Sequence, residues 1–393
     1  MMKQLKSNRI ESLDILRGIV MILMALDHTR DYFHLGLPNP TNLETTTPIL
    51  FATRFITHYC APIFVFLAGS SACLYGSKRT KKDLFKFLFT RGLWLIFLEI
   101  FLNNFLWWFD ITFGFIQLQV IWAIGCSMVV LSFLIYLPKK AILLIAISLI
   151  AGHNLLDGIV MNGDNFTSIL WRAMHQSGGF PIGESRFVRF SYPLIPWIGI
   201  ISLGYCFGAI YKKGFDILVR KKLLLYLGIG SILLFLIIRG INIYGDLVPW
   251  VEQKNSIYTI MSFLNVTKYP PSLDYALITL GPALLFLYAI EGVSNKRTKF
   301  AITFGRVPLF FYFLHILIIH LASMLAIIAT GGSYTDSILN TELFESGRLD
   351  ALGFSLGVVY IVWVGIILIH YPLCNWYMKY KLKNRDKWWL SYL

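Results

Sequence analysis

Arg17 and His28 are separated by ten residues inside the first long apolar segment of the chain, and their side-chain types are suited to chemistry. Eleven residue steps are about three helical turns, so a helix would place both side chains on nearly one face, roughly 16 Å apart along its axis. Ionisable groups within an apolar helix are costly and by default mark a functional path. A cation near one membrane surface and a base deeper in would suit a long anionic substrate.

The end of this segment carries further ionisable residues that could assist His28. Asp31 follows His28 by three residues on the same helix face, so its carboxylate could hold one ring nitrogen and leave the other free as a base. Asp27 points about 100° away from His28 and is expected to pair with Arg54, Arg91 or another span. The same groups could instead form ion pairs that only hold helices together.

A metal site is an alternative interpretation of the same segment. Asp27, Asp31 and His34 follow i, i+4, i+7 spacing, and His58 in the next span could lie nearby. Oxygen and imidazole ligands would suit zinc, manganese or iron. No second pair of histidine and carboxylate at helical spacing is recognised elsewhere in the chain. The sequence therefore predicts that no metal takes part.

Arginines recur near the same end of the expected spans as Arg17. Arg91 and Arg306 are predicted to bind phosphate groups together with Arg17, because a guanidinium stays charged when buried and binds phosphate in a bidentate manner. Asp14, three residues before Arg17, belongs to the same predicted site. His58, near the other end of the second span, is a further candidate base. For an oxyanion donor the sequence offers only guesses, namely Ser70, Ser71 and Asn103.

The composition is that of a membrane protein. Of the 393 residues, 56% are apolar and only 14% are charged, and the mean hydropathy is +0.65. Soluble domains do not combine these values. The net charge of +14 would suggest a nucleic-acid partner for a soluble protein, but no nucleic-acid motif accompanies it. We therefore expect an all-α, polytopic helical bundle whose partner is the lipid bilayer and not nucleic acid.

Apolar runs predict about ten transmembrane helices in a single integral-membrane domain, residues 1–393. The expected spans cover residues 13–34, 54–76, 85–107, 117–137, 141–156, 191–211, 223–241, 272–291, 307–330 and 351–377. If the N-terminus is cytoplasmic, the inner segments carry 23 of the 35 Lys and Arg residues and the outer segments carry seven. This asymmetry predicts that both termini are cytoplasmic.

Two further features limit the interpretation. The five cysteines all fall within expected spans without a CxxC pair, so they are predicted to pack as small apolar residues. A basic region precedes the first apolar run, but Asp27 and His28 stand where a cleavable leader would need small residues. The first span is therefore expected to be retained.

Several motifs resemble those of known membrane acyltransferases. Asp14-x-x-Arg17-x10-His28 resembles the first-span signature of the transmembrane acyltransferase superfamily, which includes the acyltransferase-3 membrane proteins. The chain is more similar to the bacterial branch related to heparan-α-glucosaminide N-acetyltransferase. The motifs that support this branch extend over about residues 9–320 and are Ser12-Leu-Asp-Ile-Leu-Arg-Gly18, Leu26-Asp-His-Thr-Arg-Asp-Tyr-Phe-His34, Ala61-Pro-Ile-Phe-Val-Phe-Leu-Ala-Gly69, Tyr192-Pro-Leu-Ile-Pro-Trp-Ile-Gly199, Asn265-Val-Thr-Lys-Tyr-Pro-Pro-Ser-Leu273 and Gly305-Arg-Val-Pro-Leu309.

The resemblance implies an enzyme that takes an acetyl or other acyl group from cytoplasmic acyl-CoA and passes it to a hydroxyl or amino group of a sugar or glycan at or across the membrane. Acetyl-CoA or another acyl-CoA would be a co-substrate, with no tightly bound cofactor. Arg17 and His28 match the arginine and catalytic histidine of the acyltransferase-3 pattern. The essential histidine of the heparan enzyme lies in a His-Ala context that is absent here, which leaves His34 and His58 as alternatives.

A proton-coupled transporter that uses the same Asp, Arg and His cluster is the main alternative function, and a silent scaffold is a third. The concentration of polar residues in one helix, without recognisable inverted repeats, favours the enzyme. The expected location is the bacterial cytoplasmic membrane. The sequence does not determine the acceptor, the acyl group, or whether acylation occurs on oxygen or nitrogen. It also does not determine the oligomeric state, for which a homodimer is one option. His28 could act as a base or could accept the acyl group itself.

Overall fold

The protein is described from a computed structural model that covers residues 10–36, 39–339, 352–384, 386–387 and 390. Lys3, Lys6 and Arg9, which contribute to the predicted charge asymmetry, lie outside the described residues. Within the described residues the chain is mostly helical. A large buried core made of apolar side chains connects most of these helices.

The helices follow the order of the expected spans. The α-helices of the described residues are α1 Glu11–Phe33, α2 Pro48–Thr57, α3 Cys60–Gly76, α4 Lys81–Leu98, α5 Asn104–Trp108, α6 Val120–Leu134, α7 Lys139–Gly152, α8 Phe166–Met174, α9 Leu194–Phe207, α10 Ile217–Ile241, α11 Ser256–Leu264, α12 Leu273–Ile290, α13 Lys296–Gly305, α14 Pro308–Ala329 and α15 Leu356–Lys383. A π-helical turn, Glu99–Asn103, joins α4 to α5, and 3-10 turns at His153–Leu156 and Gly208–Tyr211 extend α7 and α9.

Seven helices of the described residues are long and apolar enough to cross a membrane. They are Pro48–Gly76, Lys139–Leu156, Leu194–Tyr211, Ile217–Ile241, Leu273–Ile290, Pro308–Ala329 and Leu356–Lys383. Three other expected spans coincide with helices outside this set. Of these, α1 and α4 carry many charged side chains, and α6 is an apolar helix of 15 residues. The protein is therefore a multi-span helical membrane protein.

A small sheet departs from the all-α prediction. Its strands are β1 Phe115–Leu118, β2 Gly178–Ile182 and β3 Arg186–Phe190, in the order β1-β3-β2. The β1–β3 pair is parallel and the β2–β3 pair is antiparallel. In β3, buried Val188 and Phe190 alternate with exposed residues, as the two-residue period of a strand requires. The prediction missed these strands because each is only four or five residues long.

The helix α1, which carries Arg17 and His28, packs very closely against α13. A Cβ atom added at Gly18 would lie 1.9 Å from the carbonyl oxygen of Ala301, and one added at Gly305 would lie 2.0 Å from that of Asp14. These distances leave no room for any side chain at either glycine. The two helices therefore approach backbone to backbone, as small residues allow in membrane bundles.

Gly18→Ala is expected to destabilise the protein by about 1–3 kcal/mol, because the added methyl group has to push α13 away from α1. The measurement is thermal unfolding of the purified protein in detergent. Gly240→Ala in α10 is the matched control, since a Cβ atom there has nothing within 4 Å. Equal unfolding temperatures of the two variants would contradict the close contact.

Candidate active site

The first part of the site is an ion-pair cluster near the beginning of α1. Arg17 Nη1 donates to Asp14 Oδ1 at 3.0 Å and to the carbonyl oxygen of Gly305 at 3.2 Å, and Nη2 donates to Ser71 Oγ at 3.1 Å. Arg306 Nε donates to the other carboxylate oxygen of Asp14 at 3.3 Å. Arg17, Asp14 and Arg306, which the sequence predicted to act together, therefore lie together and join α1, α3 and α13.

A large cavity opens beside this cluster. Its volume is about 1120 Å³, which is slightly above the usual range of small-molecule sites. Arg17, Asp14 and Ser71 line it from α1 and α3. Its remaining lining is rich in positive charge and aromatic rings from the last turn of α3 and from the two turns that follow α3 and α9, namely Tyr75, Lys78, Arg79, Tyr211, Lys212 and Lys213. This composition suits an anionic ligand.

Arg91 does not reach this cavity. Its guanidinium carbon lies 5.6 Å from the ring centroid of Phe87, one turn earlier on α4, and Arg91 is not among the residues that line the cavity. Arg91 therefore does not contribute to this cavity, and its part in a phosphate site stays a prediction. The prediction relied on depth along the helix, whereas the direction in which the side chain points decides the contact.

The second part of the site is a pair of histidines from α1 and α14. His28 Nδ1 lies 2.8 Å from His315 Nε2, and the two rings are nearly parallel, with an interplanar angle of 19°. His315 Nδ1 lies 3.0 Å from the carbonyl oxygen of Phe311, which can only accept a hydrogen bond. His315 therefore carries its proton on Nδ1 and accepts at Nε2, so His28 donates from Nδ1. The Nε2 atom of His28 is left with a lone pair, as a general base or nucleophile requires.

The surroundings of this pair are aromatic. Trp107 lies edge-on to His28 with ring centroids 4.9 Å apart, and Tyr312 lies at 6.2 Å. His315 is fully buried, whereas His28 keeps part of its surface exposed. The buried histidine can thus hold the ring of the more accessible one in place.

Asp31 does not orient His28, contrary to the expectation from their spacing. Its Oδ1 atom accepts from Arg30 Nη2 at 2.6 Å, and its side chain is 38% exposed. Spacing alone could not show that a closer partner for His28 arrives from a helix 287 residues later in the chain. The sequence analysis gave no role to His315 on α14, and this partnership is the main feature that it missed.

Asp27 is the centre of a separate, buried ion-pair network. Arg54 Nη1 donates to its Oδ2 atom at 2.5 Å, while Arg30 Nη2 and Thr57 Oγ1 each lie 2.8 Å from its Oδ1 atom. Arg54 is one of the partners expected from the sequence. Two cations and a hydroxyl group surround this carboxylate, so it holds α1 to α2 and does not contact His28.

The two alternative histidines lie elsewhere. His34 follows α1, and its Nδ1 atom lies 3.2 Å from the carbonyl oxygen of Leu35. His58 is buried at the break between α2 and α3, edge-on to Tyr275. Neither pairs with His28. Asp27, Asp31 and His34 likewise do not form a group that could share a metal ion.

Two of the guessed oxyanion donors already have partners. Ser70 Oγ lies 3.0 Å from both Phe66 O and Gly204 O, and Asn103 Nδ2 donates to Glu99 Oε1 at 3.0 Å. Only Ser71 lies at the cavity, where it accepts from Arg17.

Comparison with known families now identifies the chain. The family described as heparan-alpha-glucosaminide N-acetyltransferase, catalytic, matches residues 9–239, which is more than half of the sequence. The chain belongs to this family. The family supports membrane acetyltransferase activity in general, and it confirms the predicted resemblance. A search of curated proteins finds no match.

The matched residues of the heparan-α-glucosaminide N-acetyltransferase family include α1, where Arg17 and His28 lie, and the turns that form the basic cavity. His315 and Arg306 lie beyond the matched residues, as do two of the motifs on which the resemblance was based, at 265–273 and 305–309. The family match therefore covers the site residues on α1, and residues from α13 and α14 complete the site.

Proposed function

We propose that the protein transfers an acetyl or other acyl group from cytoplasmic acyl-CoA to a hydroxyl or amino group of a carbohydrate at or across the membrane. One observation carries the proposal: a single unbroken helix bears Arg17 at a large basic cavity and, three turns later, a histidine with a free ring nitrogen. Acyl transfer from coenzyme A requires a binding site for this anionic carrier and a general base near its thioester. The family supports the reaction type.

The donor would bind with its phosphate and nucleotide end in the basic cavity. Arg17 and the basic residues of the two turns offer charge-assisted hydrogen bonds to phosphate groups. Arg306 would act through Asp14, which it shares with Arg17.

The arm of the donor would then extend along α1. Arg17, Met21, Met24 and His28 follow i, i+4, i+7 and i+11 spacing, so they form one stripe on the helix. His28 does not line the basic cavity, and Met21 and Met24 are buried between the two. Methionine side chains are unbranched and flexible, which makes them suited to yield to a thin chain.

At the end of the stripe, Nε2 of His28 would remove a proton from the hydroxyl or amino group of the acceptor, and the oxygen or nitrogen of that group would attack the thioester carbonyl. The carbon–sulfur bond then breaks, and the leaving thiolate takes the proton from the imidazolium. In a second route, Nε2 itself attacks the thioester carbonyl, the carbon–sulfur bond breaks, and the thiolate leaves an acyl-imidazolium on His28. The acceptor then attacks this acyl carbonyl, the carbon–nitrogen bond breaks, and the proton of the acceptor passes through the freed Nε2 to the thiolate. In both routes His315 holds the ring through Nδ1 and stabilises the positive charge on it.

Topology follows from the same proposal. The basic cavity would face the cytoplasm, with both termini on that side and about ten spans in one domain, in accord with the positive-inside rule. The acceptor would approach from the opposite end, where α1 ends at Phe33. A bacterial inner membrane is the expected location. Acyl-CoA would be a co-substrate that leaves after each turnover, and the acceptor would be a sugar or glycan.

Arg17→Ala is expected to weaken binding of coenzyme A by about 10- to 100-fold, because a hydrogen bond to a charged group contributes roughly 1.5–3 kcal/mol. Titration of coenzyme A into the purified protein in nanodiscs, at two salt concentrations, measures this effect. Arg91→Ala is the matched control, since it removes an arginine that lies outside the cavity. We expect that variant to bind like the wild type.

Two results would argue against the proposal. If the folded wild-type protein does not bind coenzyme A, the acyltransferase function fails, and proton or solute transport in proteoliposomes would then test the permease alternative. If Arg91→Ala weakens binding as much as Arg17→Ala, the donor does not bind in the cavity described above.

A further inference from the structure

A second group of ligand-type side chains lies apart from α1, beyond the end of α7. His153, Asp157 and His175 each offer one nitrogen or oxygen atom, and these atoms all lie within 4.8 Å of one another. His153 Nδ1 lies 3.3 Å from His175 Nε2, which lies 3.5 Å from Asp157 Oδ1. Within the part of the chain that the structure describes, no other such group of three comes as close. The function proposed above does not use these residues.

The two separations that involve His175 are close to those in the coordination shell of a small divalent ion. Zinc–nitrogen bonds of about 2.0–2.1 Å in a tetrahedron place neighbouring ligand atoms roughly 3.3 Å apart. Two histidines and one carboxylate form a familiar three-ligand set that leaves the fourth position to water. The sequence analysis overlooked this cluster, in which His153 and Asp157 are four residues apart.

Neighbouring residues hold the three side chains in place. Asn154 Nδ2 donates to Asp157 Oδ2 at 2.8 Å and so leaves Oδ1 facing His175. Trp171 stacks on the His175 ring, with centroids 5.1 Å apart. Supporting contacts of this kind orient the ligands in metal sites.

The site is enclosed. His153 and His175 are 2% and 3% exposed, and the Asp157 side chain is 12% exposed. We propose that these three residues bind one divalent first-row transition-metal ion, for which zinc fits best. Because Asn154 Oδ1 accepts from the backbone N–H of Leu273 at 3.0 Å, the ion would join α7 and α8 to the beginning of α12. This inference is independent of the proposed acyl transfer.

A hydrogen-bonded pair without metal is the competing state. His175 Nε2 also lies 2.9 Å from the carbonyl oxygen of His153 and could donate a proton to it. A metal-bound Nε2 cannot carry that proton. The two states therefore exclude each other, and metal binding can be tested directly.

The experiment uses the full chain, purified in detergent with an affinity tag that lacks histidine. After treatment with a chelator and dialysis, Zn²⁺ is titrated and bound metal is measured by mass spectrometry. We expect about one ion per chain and a higher unfolding temperature with zinc. Co²⁺ should give the strong visible absorption of a four-coordinate site.

His175→Ala and the nearly isosteric Asp157→Asn are expected to weaken zinc binding by more than about 100-fold, since loss of even a supporting contact costs 10- to 100-fold. Asp164→Asn removes a carboxylate from the same segment, paired only with Arg172 at 3.2 Å, and should keep the ion. The wild-type measurement decides the matter even if a variant does not fold. A folded wild-type protein that binds no zinc, or site variants that bind it like the wild type, would overturn the inference.

Discussion

Replacing His28 with alanine is expected to reduce acyl transfer by about 10²- to 10⁴-fold, the usual contribution of a positioned general base. Binding of coenzyme A should remain, because His28 does not line the basic cavity. The measurement is transfer from radiolabelled acetyl-CoA, or slow thioester hydrolysis when no acceptor is present, by the purified protein in nanodiscs. Loss of turnover with retained binding would separate the chemical step from donor recognition.

Variants of three other histidines make this prediction specific. His315→Ala should lower turnover less than His28→Ala, and His315→Gln should recover part of it, because a glutamine oxygen can still accept from His28 Nδ1. His34→Ala and His58→Ala test the alternative bases. Wild-type turnover by His28→Ala, together with loss in either of these two variants, would contradict the role of His28.

Replacing Asp27 with asparagine is expected to destabilise the protein by about 3–5 kcal/mol, the usual cost of removing one partner from a buried ion pair. The side chain of Asp27 is 11% exposed and pairs with both Arg30 and Arg54. Without its charge, two guanidinium groups would face each other with no carboxylate between them. Thermal or denaturant unfolding in detergent measures the effect.

Asp31→Asn is the matched control for Asp27→Asn. Asp31 contacts the same Arg30, but its side chain is 38% exposed, so water screens the pair and the expected loss is at most about 1 kcal/mol. If both variants were equally stable, the network around Asp27 would not be the structural link between α1 and α2 that the distances indicate.

The features that could be predicted from the sequence are those set by one helix. The length of the apolar run and its helical period predicted α1. They also placed Arg17 near one end of this helix and His28 about three turns later. Asp27 points about 100° away from His28 on the helix, which directed it towards Arg54, Arg91 or another span, and Arg54 is its partner in the structure. Each of these inferences needs only the geometry of an isolated helix and the cost of burying a charge.

The features that could not be predicted depend on how helices approach one another. His315 meets His28 only because α14 packs beside α1, and nothing within α1 indicates that contact. Arg91 was predicted from its depth, but its side chain points towards Phe87. The cavity is formed by turns after α3 and α9, whose meeting is a property of the bundle and not of either segment.

The continuity of α1 limits how this protein can move. Arg17 and His28 belong to one uninterrupted helix of 23 residues, so the distance between their backbone positions is fixed. Two neighbouring segments are less regular: α2 continues into α3 through the turn at His58 and Tyr59, and α4 continues into α5 through the π-helical turn Glu99–Asn103. π-Helical turns are frequent at functional sites. A conformational change that admits two substrates to the same point on α1 is therefore expected at these two turns, while α1 itself stays rigid.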